Sequence, residues 1–157
     1  MLAKRIMIEN IVTARPEETV EEVLQRMRSA KLRMIPVVDA DNCIQGLIST
    51  ISMVANLLPE YLSSGDLKSI SYAPDLGILR QHYLERINCP VSSVMKRDPL
   101  IVAPNDSLLS VSSAMTDLEC HGYALVADKD KKLLGVLSSG DILDRMMVLH
   151  SKDDFDA

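Results

Sequence analysis

A chain of 157 residues that is 47% hydrophobic and 25% charged has the composition of a globular protein with one ordinary core, too small for two catalytic domains. Its net charge of −5 and 3% aromatic content argue against nucleic-acid binding, because phosphates need a basic surface and unpaired bases need stacking platforms. Its apolar runs fall short of the roughly 20 residues of a membrane span, and the amino-terminal residues lack a signal-peptide pattern. We therefore expect a cytoplasmic protein without a membrane partner.

The first half of the chain predicts a strand, a helix, two strands and a second helix. A short β-prone run at residues 11–13 stops before Pro16. A helix with one apolar face follows, because apolar residues recur at helical spacing at Val20, Val23, Leu24 and Met27. The remaining predicted elements are a buried strand at 34–38, a turn at 39–42, a returning strand at 44–48 and a helix over about 52–58.

The second half repeats this succession after an intervening segment. Residues 59–93 carry turn signals at Pro59, at residues 63–66 and at Pro74. A predicted helix follows in that segment, with an apolar stripe formed by Leu76, Leu79, Tyr83 and Ile87. The predicted elements of the second half are a strand at 100–102, a helix with Leu108, Val111, Met115 and Leu118, strands at 123–127 and 133–137, and a helix over about 141–150.

The two halves align as an internal repeat. Pro16 aligns with Pro104 at a spacing of 88 residues, and Gly46 aligns with Gly135 at a spacing of 89. One half buries too little apolar surface alone, so we expect two βαββα repeats that share one interior in an α+β fold. The predicted division is a first repeat at residues 1–58, a helical insertion at 59–93, a second repeat at 94–150 and a carboxy-terminal tail at 151–157.

Two motifs in this duplicated frame resemble those of the CBS domain pair, also called the Bateman module. Residues 34–39 read Met-Ile-Pro-Val-Val-Asp, which is similar to the family's apolar strand. Residues 135–143 read Gly-Val-Leu-Ser-Ser-Gly-Asp-Ile-Leu, similar to the family's Gly, two apolar residues, Ser or Thr, two spacers and Asp. The resemblance covers nearly the whole chain and implies one pseudo-symmetric unit. It also implies a regulatory adenosyl ligand such as AMP, ADP, ATP or S-adenosylmethionine, with no cofactor required.

Ser138 and Asp141 are the strongest candidate ligand residues. A strand that ends at Leu137 delivers Ser138 to its carboxyl end and Asp141 to the first turn of the next helix. Backbone N–H groups and the helix dipole attract anions at such a helix end. The Ser138 hydroxyl can donate there to a phosphate, and the Asp141 carboxylate can accept from both hydroxyls of a ribose. The alternative interpretation is that these side chains only cap the helix.

The first half departs from the family pattern, because Ser52 stands where the ribose-binding Asp would be. A neutral hydroxyl binds a ribose less strongly than a carboxylate, by about 1 kcal/mol per hydrogen bond, so this site is expected to be weak or empty. By resemblance, the stronger site consists of Ser138, Asp141 and Leu137, with the nucleotide base near Ile8, Glu9, Leu32 and Met34 of the other repeat. The weaker site is predicted to comprise Ser49, Ser52, Arg97, Asp98, His121 and Tyr123.

The sequence predicts no catalytic site and no metal site. His82, His121 and His150 fall in different elements without metal-ligand spacing, and no glycine-rich phosphate loop of the Walker type is present. We therefore expect a regulatory protein and not an enzyme. Its output would reach an unidentified effector protein, or a homodimer formed through apolar faces of the repeat helices. The alternative is a ligand-free interaction or structural protein whose sites have decayed.

Overall fold

The computed structural model describes residues 1–60 and 76–150. Within them the predicted α+β architecture of two repeats is confirmed, with one small sheet and its helices in each repeat. The helices are α1 (Val20–Ser29), α2 (Thr50–Leu57), α3 (Leu76–Arg86), α4 (Leu108–Met115) and α5 (Ser139–His150). The strands are β1 (Met34–Val38), β2 (Ile44–Ser49), β3 (Ile101–Val102), β4 (Tyr123–Ala127) and β5 (Leu133–Ser138).

Helix α1 forms where the first-half pattern predicts it. Thr19 caps the helix, because its hydroxyl accepts from the Glu22 backbone N–H while the Glu22 carboxylate accepts from the Thr19 backbone N–H. Val20, Val23 and Met27 of the predicted apolar face are buried. Strand β1 then pairs antiparallel with β2, and all of β1 is buried. The local pattern is therefore a sound guide to these elements.

The predicted strand at residues 11–13 is wrong. The segment makes a single parallel bridge just beyond this range, between Ala14 and Val37. The corresponding part of the second repeat does form a short strand, β3, which pairs parallel with β4. In the first repeat, Ile11 and Val12 face a cavity between the repeats. Their apolar character therefore reflects the lining of a cavity and not strand pairing.

The apolar helix of the second half ends earlier than predicted. Helix α4 stops before Leu118, which belongs to a separate 3-10 turn. The Asp117 carboxylate accepts from the Glu119 backbone N–H over 3.0 Å, and this local bond offers the backbone an alternative to α-helix. The chain then passes through His121 (φ 51°) and Gly122 (φ 77°) into β4. This left-handed turn positions His121 and Tyr123 at the cavity between the repeats.

Each repeat is completed by the segment that precedes the other repeat. The 3-10 turn at Ala3–Arg5 packs on the second repeat, where the Ala3 N–H donates to the Asp106 carbonyl over 2.9 Å. The equivalent turn that begins at Val91 packs on the first repeat, where the Val91 N–H donates to the Glu18 carbonyl over 2.8 Å. Ala3 and Val91 lie fully buried in the core of the repeat that each one joins. Neither repeat has a complete core without this exchange.

The two repeats also share one interior, as expected from the small apolar area of each half. Met34, Val38 and Leu47 of the first repeat pack with Leu125 and Leu133 of the second. Backbone hydrogen bonds join the two hairpin turns at the edge of this cluster. The relative position of the repeats is thus fixed by apolar packing and by hydrogen bonds.

Helix α3 packs against α2, and the His82 Nδ1 atom lies 2.8 Å from the Leu57 carbonyl oxygen at the end of α2. Its predicted apolar stripe is only partly covered. Leu79 and Ile87 are half-buried, whereas Tyr83 is exposed. The predicted turns at 63–66 and Pro74 and the predicted tail at 151–157 lie outside the described residues.

Candidate functional site

Ser138 and Asp141 are hydrogen-bonded to each other where β5 meets α5. The Asp141 Oδ2 atom accepts from both the backbone N–H and the hydroxyl of Ser138, each over 2.7 Å. The Ser138 Oγ atom accepts in turn from the Asp141 backbone N–H over 3.1 Å. This reciprocal arrangement is a capping box, so the two side chains do cap α5. It also directs the Ser138 hydroxyl proton at Asp141 and not toward a phosphate, the acceptor predicted from the sequence.

Asp141 retains its second carboxylate oxygen, Oδ1, for another partner. No group in residues 1–60 or 76–150 donates a hydrogen bond to this oxygen. Asp141 is half-buried, and the bonds of Oδ2 to Ser138 fix the direction of the carboxylate. An oriented carboxylate oxygen is a good acceptor for a hydroxyl group, because charge-assisted hydrogen bonds are about twice as strong as neutral ones.

A cavity of about 410 Å³ lies between the repeats and has Asp141 in its wall. Its first-repeat wall is formed by residues 8, 10–12, 31–34 and 36, and its second-repeat wall by residues 121, 123 and 136–141. Ile8 reaches the second repeat because it pairs with Val136, with N–H to carbonyl distances of 2.9 and 3.0 Å. The chain then crosses to the first sheet at Ala14. This crossing brings apolar side chains of one repeat next to the carboxylate of the other.

The structure brings together all but one of the residues predicted for the stronger site. Glu9 is the exception, because it is exposed and does not line the cavity, while its neighbours Ile8 and Asn10 do. Consecutive side chains of an extended segment point to opposite sides, which accounts for this difference. The predicted residues that line the cavity are Ser138, Asp141, Leu137, Ile8, Leu32 and Met34.

His121 and Tyr123 line this same cavity, although the sequence analysis assigned them to the weaker site. Tyr123 lies directly opposite Ser138 in the β4–β5 register, so both belong to the same end of the sheet. Burial raises the pKa of the Tyr123 phenol; the Arg33 guanidinium opposes this shift and the Asp141 carboxylate adds to it. The phenol is therefore neutral at physiological pH and can donate a hydrogen bond into the cavity.

A family model for the CBS domain matches residues 3–58 and 91–148 of this chain. The chain belongs to the CBS domain family. The two matched segments make it a CBS pair, as the resemblance of its motifs predicted. A CBS domain-containing protein from Dictyostelium discoideum is 24% identical to it over 148 residues, which cover 94% of this chain and 92% of that protein.

Solved structures of other CBS pairs share the fold. CBSX2 from Arabidopsis thaliana gives a TM-score of 0.75 at 16% identity, covering 96% of this chain and 97% of that chain. A structure of CBSX2 in complex with AMP gives 0.70 at 20% identity and covers 95% and 98% of the two chains. The CBS domain pair of protein MJ0100, in complex with 5′-methylthioadenosine and S-adenosyl-L-methionine, gives 0.69 at 14% identity and covers 94% and 97%.

The corresponding junction in the first repeat of this CBS pair is closed. Ser49 and Ser52 form a capping box of their own at the start of α2 and are only 2% and 9% exposed. The Ser52 hydroxyl donates to the Ser49 carbonyl over 2.9 Å and accepts from the Ser49 N–H over 3.0 Å. Ser52 thus has no counterpart of the unpartnered Asp141 oxygen.

The other residues predicted for the weaker site do not form an apolar wall. Arg97 is exposed and donates from Nη2 to the Ser92 carbonyl over 2.9 Å. Asp98 pairs with the Lys96 ammonium at 3.5 Å, and only 19% of the Lys96 side chain is exposed. Lys96 aligns with Ile8 at the spacing of 88 residues. A cation therefore stands at the position where the Asp141 cavity has an aliphatic side chain.

Sequence reasoning missed several polar side chains of the cavity, which are Asn10, Lys31, Arg33 and Ser139. A signal was available for two of them, because Lys31 and Arg33 flank Leu32, which the family resemblance had assigned to the site. Their placement depends on a left-handed residue after α1, Lys31 with φ 55°. No periodic pattern of apolar residues predicts such a conformation.

Other kinds of site are absent from the part of the chain that the structure describes. Residues 1–60 and 76–150 contain no group of histidine, cysteine and carboxylate side chains that could hold a metal ion. No helix in the same ranges has the length and apolar character needed to cross a membrane. The cavity that contains Asp141 is accordingly the candidate functional site.

Proposed function

We propose that this CBS pair is a regulatory, non-catalytic module that binds an adenosyl nucleotide between its repeats and passes the signal to a dimer or partner protein. The ligand would be AMP, ADP, ATP or S-adenosylmethionine. The observation that carries the proposal is the Oδ1 atom of Asp141, which has no hydrogen-bond donor among the described residues and lies in a cavity that both repeats line.

The chemistry of the cavity suits the parts of an adenosyl group. Its volume of about 410 Å³ lies within the range of roughly 300–1,000 Å³ that small-molecule sites occupy. Ile8, Leu32, Met34 and Val136 offer apolar surface to a purine. The Asp141 carboxylate offers an acceptor to the vicinal hydroxyls of a ribose. An adenosyl ligand is further supported by the relatives bound to AMP and to S-adenosyl-L-methionine.

A single strong site per chain follows from the difference between the two junctions. Asp141 presents a charged acceptor, whereas Ser52 is buried and uses its hydroxyl within its own capping box. The Lys96–Asp98 pair further separates the first junction from a site built for a purine. We therefore propose that nucleotide binds at Asp141 and not at Ser52.

Regulation would arise because the ligand touches both repeats. A ligand that bridges two packed units stabilises the relative orientation that it fits, by its difference in affinity between orientations. Helices α2 and α5 could report such a change, because each exposes apolar side chains. Ile51 and Val54 of α2 are 56% and 53% exposed, and Leu143 and Met147 of α5 are 63% and 71% exposed. We propose that these faces form a homodimer.

Thermal unfolding with AMP, ADP, ATP, S-adenosylmethionine and NAD tests the binding proposal. A ligand present at 100 times its Kd stabilises the native state by about 2.7 kcal/mol, which raises the Tm by roughly 5–10 °C for a chain of this size. Asp141→Ser should lose this shift, because it reproduces the Ser49/Ser52 pattern and keeps a capping box. Ser52→Ala is the matched control, which should lower the basal Tm and keep the ligand-induced shift.

A ligand-free interaction module is the second candidate function, and the closed Ser52 junction together with the exposed helix faces favours it. The same experiment separates the two. If nucleotide-free protein shows no shift with any of the five compounds, the nucleotide proposal is wrong and the interaction module replaces it. An equal shift in wild type and Asp141→Ser would instead move the binding site away from Asp141.

The dimer proposal has its own test in light scattering coupled to size-exclusion chromatography. Met147→Glu should convert a dimer to a monomer, because a charge would be buried in an apolar interface. Leu109→Glu is the matched control, since Leu109 on α4 is 83% exposed and lies on neither proposed face. Dissociation by Leu109→Glu with no effect of Met147→Glu would contradict the proposed interface.

A further inference from the structure

Two basic side chains line the Asp141 cavity and have no acidic partner within residues 1–60 and 76–150. Lys31 and Arg33 are exposed residues at its first-repeat wall. The ion pairs of the described residues are Glu18 with Arg26 and Asp98 with Lys96, so neither of these cavity cations is neutralised by a carboxylate at contact distance. A ligand in the cavity would therefore meet charges that the protein itself has not paired.

The charge of the cavity is positive overall. Lys31 and Arg33 contribute two positive charges, and among the described residues Asp141 is the single carboxylate in the wall. Arg33 and Asp141 both act electrostatically on the Tyr123 phenol, which places the two charges on the same part of the cavity. The Asp141 carboxylate also receives two hydrogen bonds from Ser138, which compensate part of its charge locally. The first-repeat wall therefore favours an anionic group.

The positive wall is not a consequence of the repeat. At the spacing of 88 residues, Lys31 corresponds to Glu119 and Arg33 to His121. The position equivalent to Lys31 thus carries the opposite charge in the second repeat. The combination of two cations at these positions therefore occurs only in the first repeat, whose residues line the cavity that contains Asp141.

We infer that Lys31 and Arg33 select the charge of the ligand, favouring adenosine that carries phosphate over adenosine that carries a sulfonium cation. The inference rests on the proposed nucleotide function and narrows it to AMP, ADP or ATP. A ligand whose ribose binds Asp141 occupies the same cavity as the two cations, so its 5′ substituent is within reach of their charge. A phosphate gains charge-assisted hydrogen bonds there, whereas the sulfonium of S-adenosylmethionine meets like charge.

The conformation of Lys31 supplies a clean variant for the test. Lys31 has φ 55° just after α1, where the Leu32 N–H donates to the Met27 carbonyl over 2.8 Å. Glycine is favoured at this kind of helix end because a left-handed residue without Cβ carries no steric penalty. Lys31→Gly therefore removes the charge without disturbing the backbone. Arg33→Gln keeps a side chain of similar length and also removes a charge.

Isothermal titration calorimetry of the full chain with AMP, adenosine and S-adenosylmethionine tests the inference. Wild type should bind AMP at least about tenfold more tightly than adenosine, the factor expected for one charge-assisted contact. Arg33→Gln and Lys31→Gly should each weaken AMP about tenfold, leave adenosine within about twofold and improve S-adenosylmethionine. Arg28→Gln is the matched control, because Arg28 is exposed, lies outside the cavity wall and changes the net charge equally.

The outcomes separate this inference from the function on which it rests. Equal affinities for AMP and adenosine, or variants that weaken both alike, would overturn the charge selection while leaving an adenosyl site in place. Tighter binding of S-adenosylmethionine than of AMP would also overturn it. Failure of all three compounds to bind wild type, together with no thermal shift from ADP or ATP, would overturn the nucleotide function and this inference together. If Arg28→Gln weakens AMP binding as much as Arg33→Gln does, the effect is one of net charge and the inference is wrong.

Discussion

The segment before each repeat, which includes the 3-10 turn that begins at Ala3 or at Val91, packs on the other repeat. This exchange predicts that two equivalent glycines lose different amounts of stability when each is replaced by alanine. Gly46 of β2 and Gly135 of β5 occupy aligned positions, and each lies under a methionine from an exchanged segment. A Cβ at Gly135 would lie 2.7 Å from the Met7 sulfur. A Cβ at Gly46 would lie equally close, at 2.7 Å, to the backbone oxygen of Lys96.

The nature of the clashing atom sets the magnitude. The Met7 thioether can rotate away, so Gly135→Ala should cost about 1–2 kcal/mol in the free energy of unfolding, as overpacking usually does. The Lys96 oxygen cannot move alone, because it accepts from the Leu47 N–H over 2.9 Å, and the Lys96 N–H donates to the Leu47 carbonyl over 2.9 Å. Relief of that clash strains two hydrogen bonds, so Gly46→Ala should cost about 2–4 kcal/mol.

Urea denaturation of both variants and of their double mutants with methionine measures the difference. Met7→Ala should remove much of the effect of Gly135→Ala, with an interaction energy of about 1 kcal/mol. Met95→Ala should rescue Gly46→Ala far less, because the Lys96 backbone oxygen remains. A larger loss of stability in Gly135→Ala than in Gly46→Ala would contradict this prediction. Rescue of Gly46→Ala by Met95→Ala as full as the rescue of Gly135→Ala by Met7→Ala would contradict it too.

Three further predictions concern other parts of the molecule. The hydrogen bond from Arg26 lowers the pKa of the Glu18 carboxyl, so this pair contributes its full stability above the unfolded-state pKa and loses it progressively as pH falls through the lower folded-state pKa. Glu18→Gln should therefore lose less stability than wild type between about pH 5 and pH 3, by up to about 1 kcal/mol in urea titrations, since the pair is partly exposed. Thr19→Ala should cost about 1 kcal/mol in the same assay by removing the cap of α1, and an unchanged stability would exclude the cap. Burial, with a smaller effect of the Asp117 carboxylate, raises the pKa of the Cys120 thiol. Iodoacetamide at about pH 8 should therefore alkylate Cys120 more slowly than it alkylates a cysteine in an unstructured peptide. Equal alkylation rates, measured by mass spectrometry, would contradict this.

The local pattern of the sequence was enough for most of the secondary structure. The apolar spacing of Val20, Val23 and Met27 predicted α1, and those residues are buried. The strand at 34–38 was predicted with the bounds of β1. Two predictions failed because the sequence pattern had another physical cause or because a local side-chain hydrogen bond competed with the helix. Ile11 and Val12 are apolar because they line a cavity, and α4 ends before Leu118 because the Asp117 carboxylate accepts a hydrogen bond from the backbone of Glu119.

Prediction of the site divided in a similar way. The sequence placed Ser138 and Asp141 together at the junction of a strand and a helix, where the structure has them, because their spacing relative to the strand end is a property of the sequence alone. Glu9 was predicted to lie beside the nucleotide base, but it does not line the cavity. The side to which Glu9 points depends on the pairing of its neighbour Ile8 with Val136, which the sequence does not show. His121 and Tyr123 were assigned to the other junction, because the left-handed turn before β4 is not visible in a hydrophobic pattern.

By itself the sequence determined the duplication, the order of elements in each repeat and the residue types at the two junctions, because these depend on spacing and on side-chain chemistry along the chain. Only the tertiary structure decided which repeat each exchanged segment joins, and therefore that Ile8 pairs with Val136 and lines the same cavity as Asp141. It also brought Lys31 and Arg33 to the wall of that cavity. The physical reason is that a pattern of burial records that a side chain is covered, whereas the identity of the covering surface is settled by packing between residues far apart in the chain.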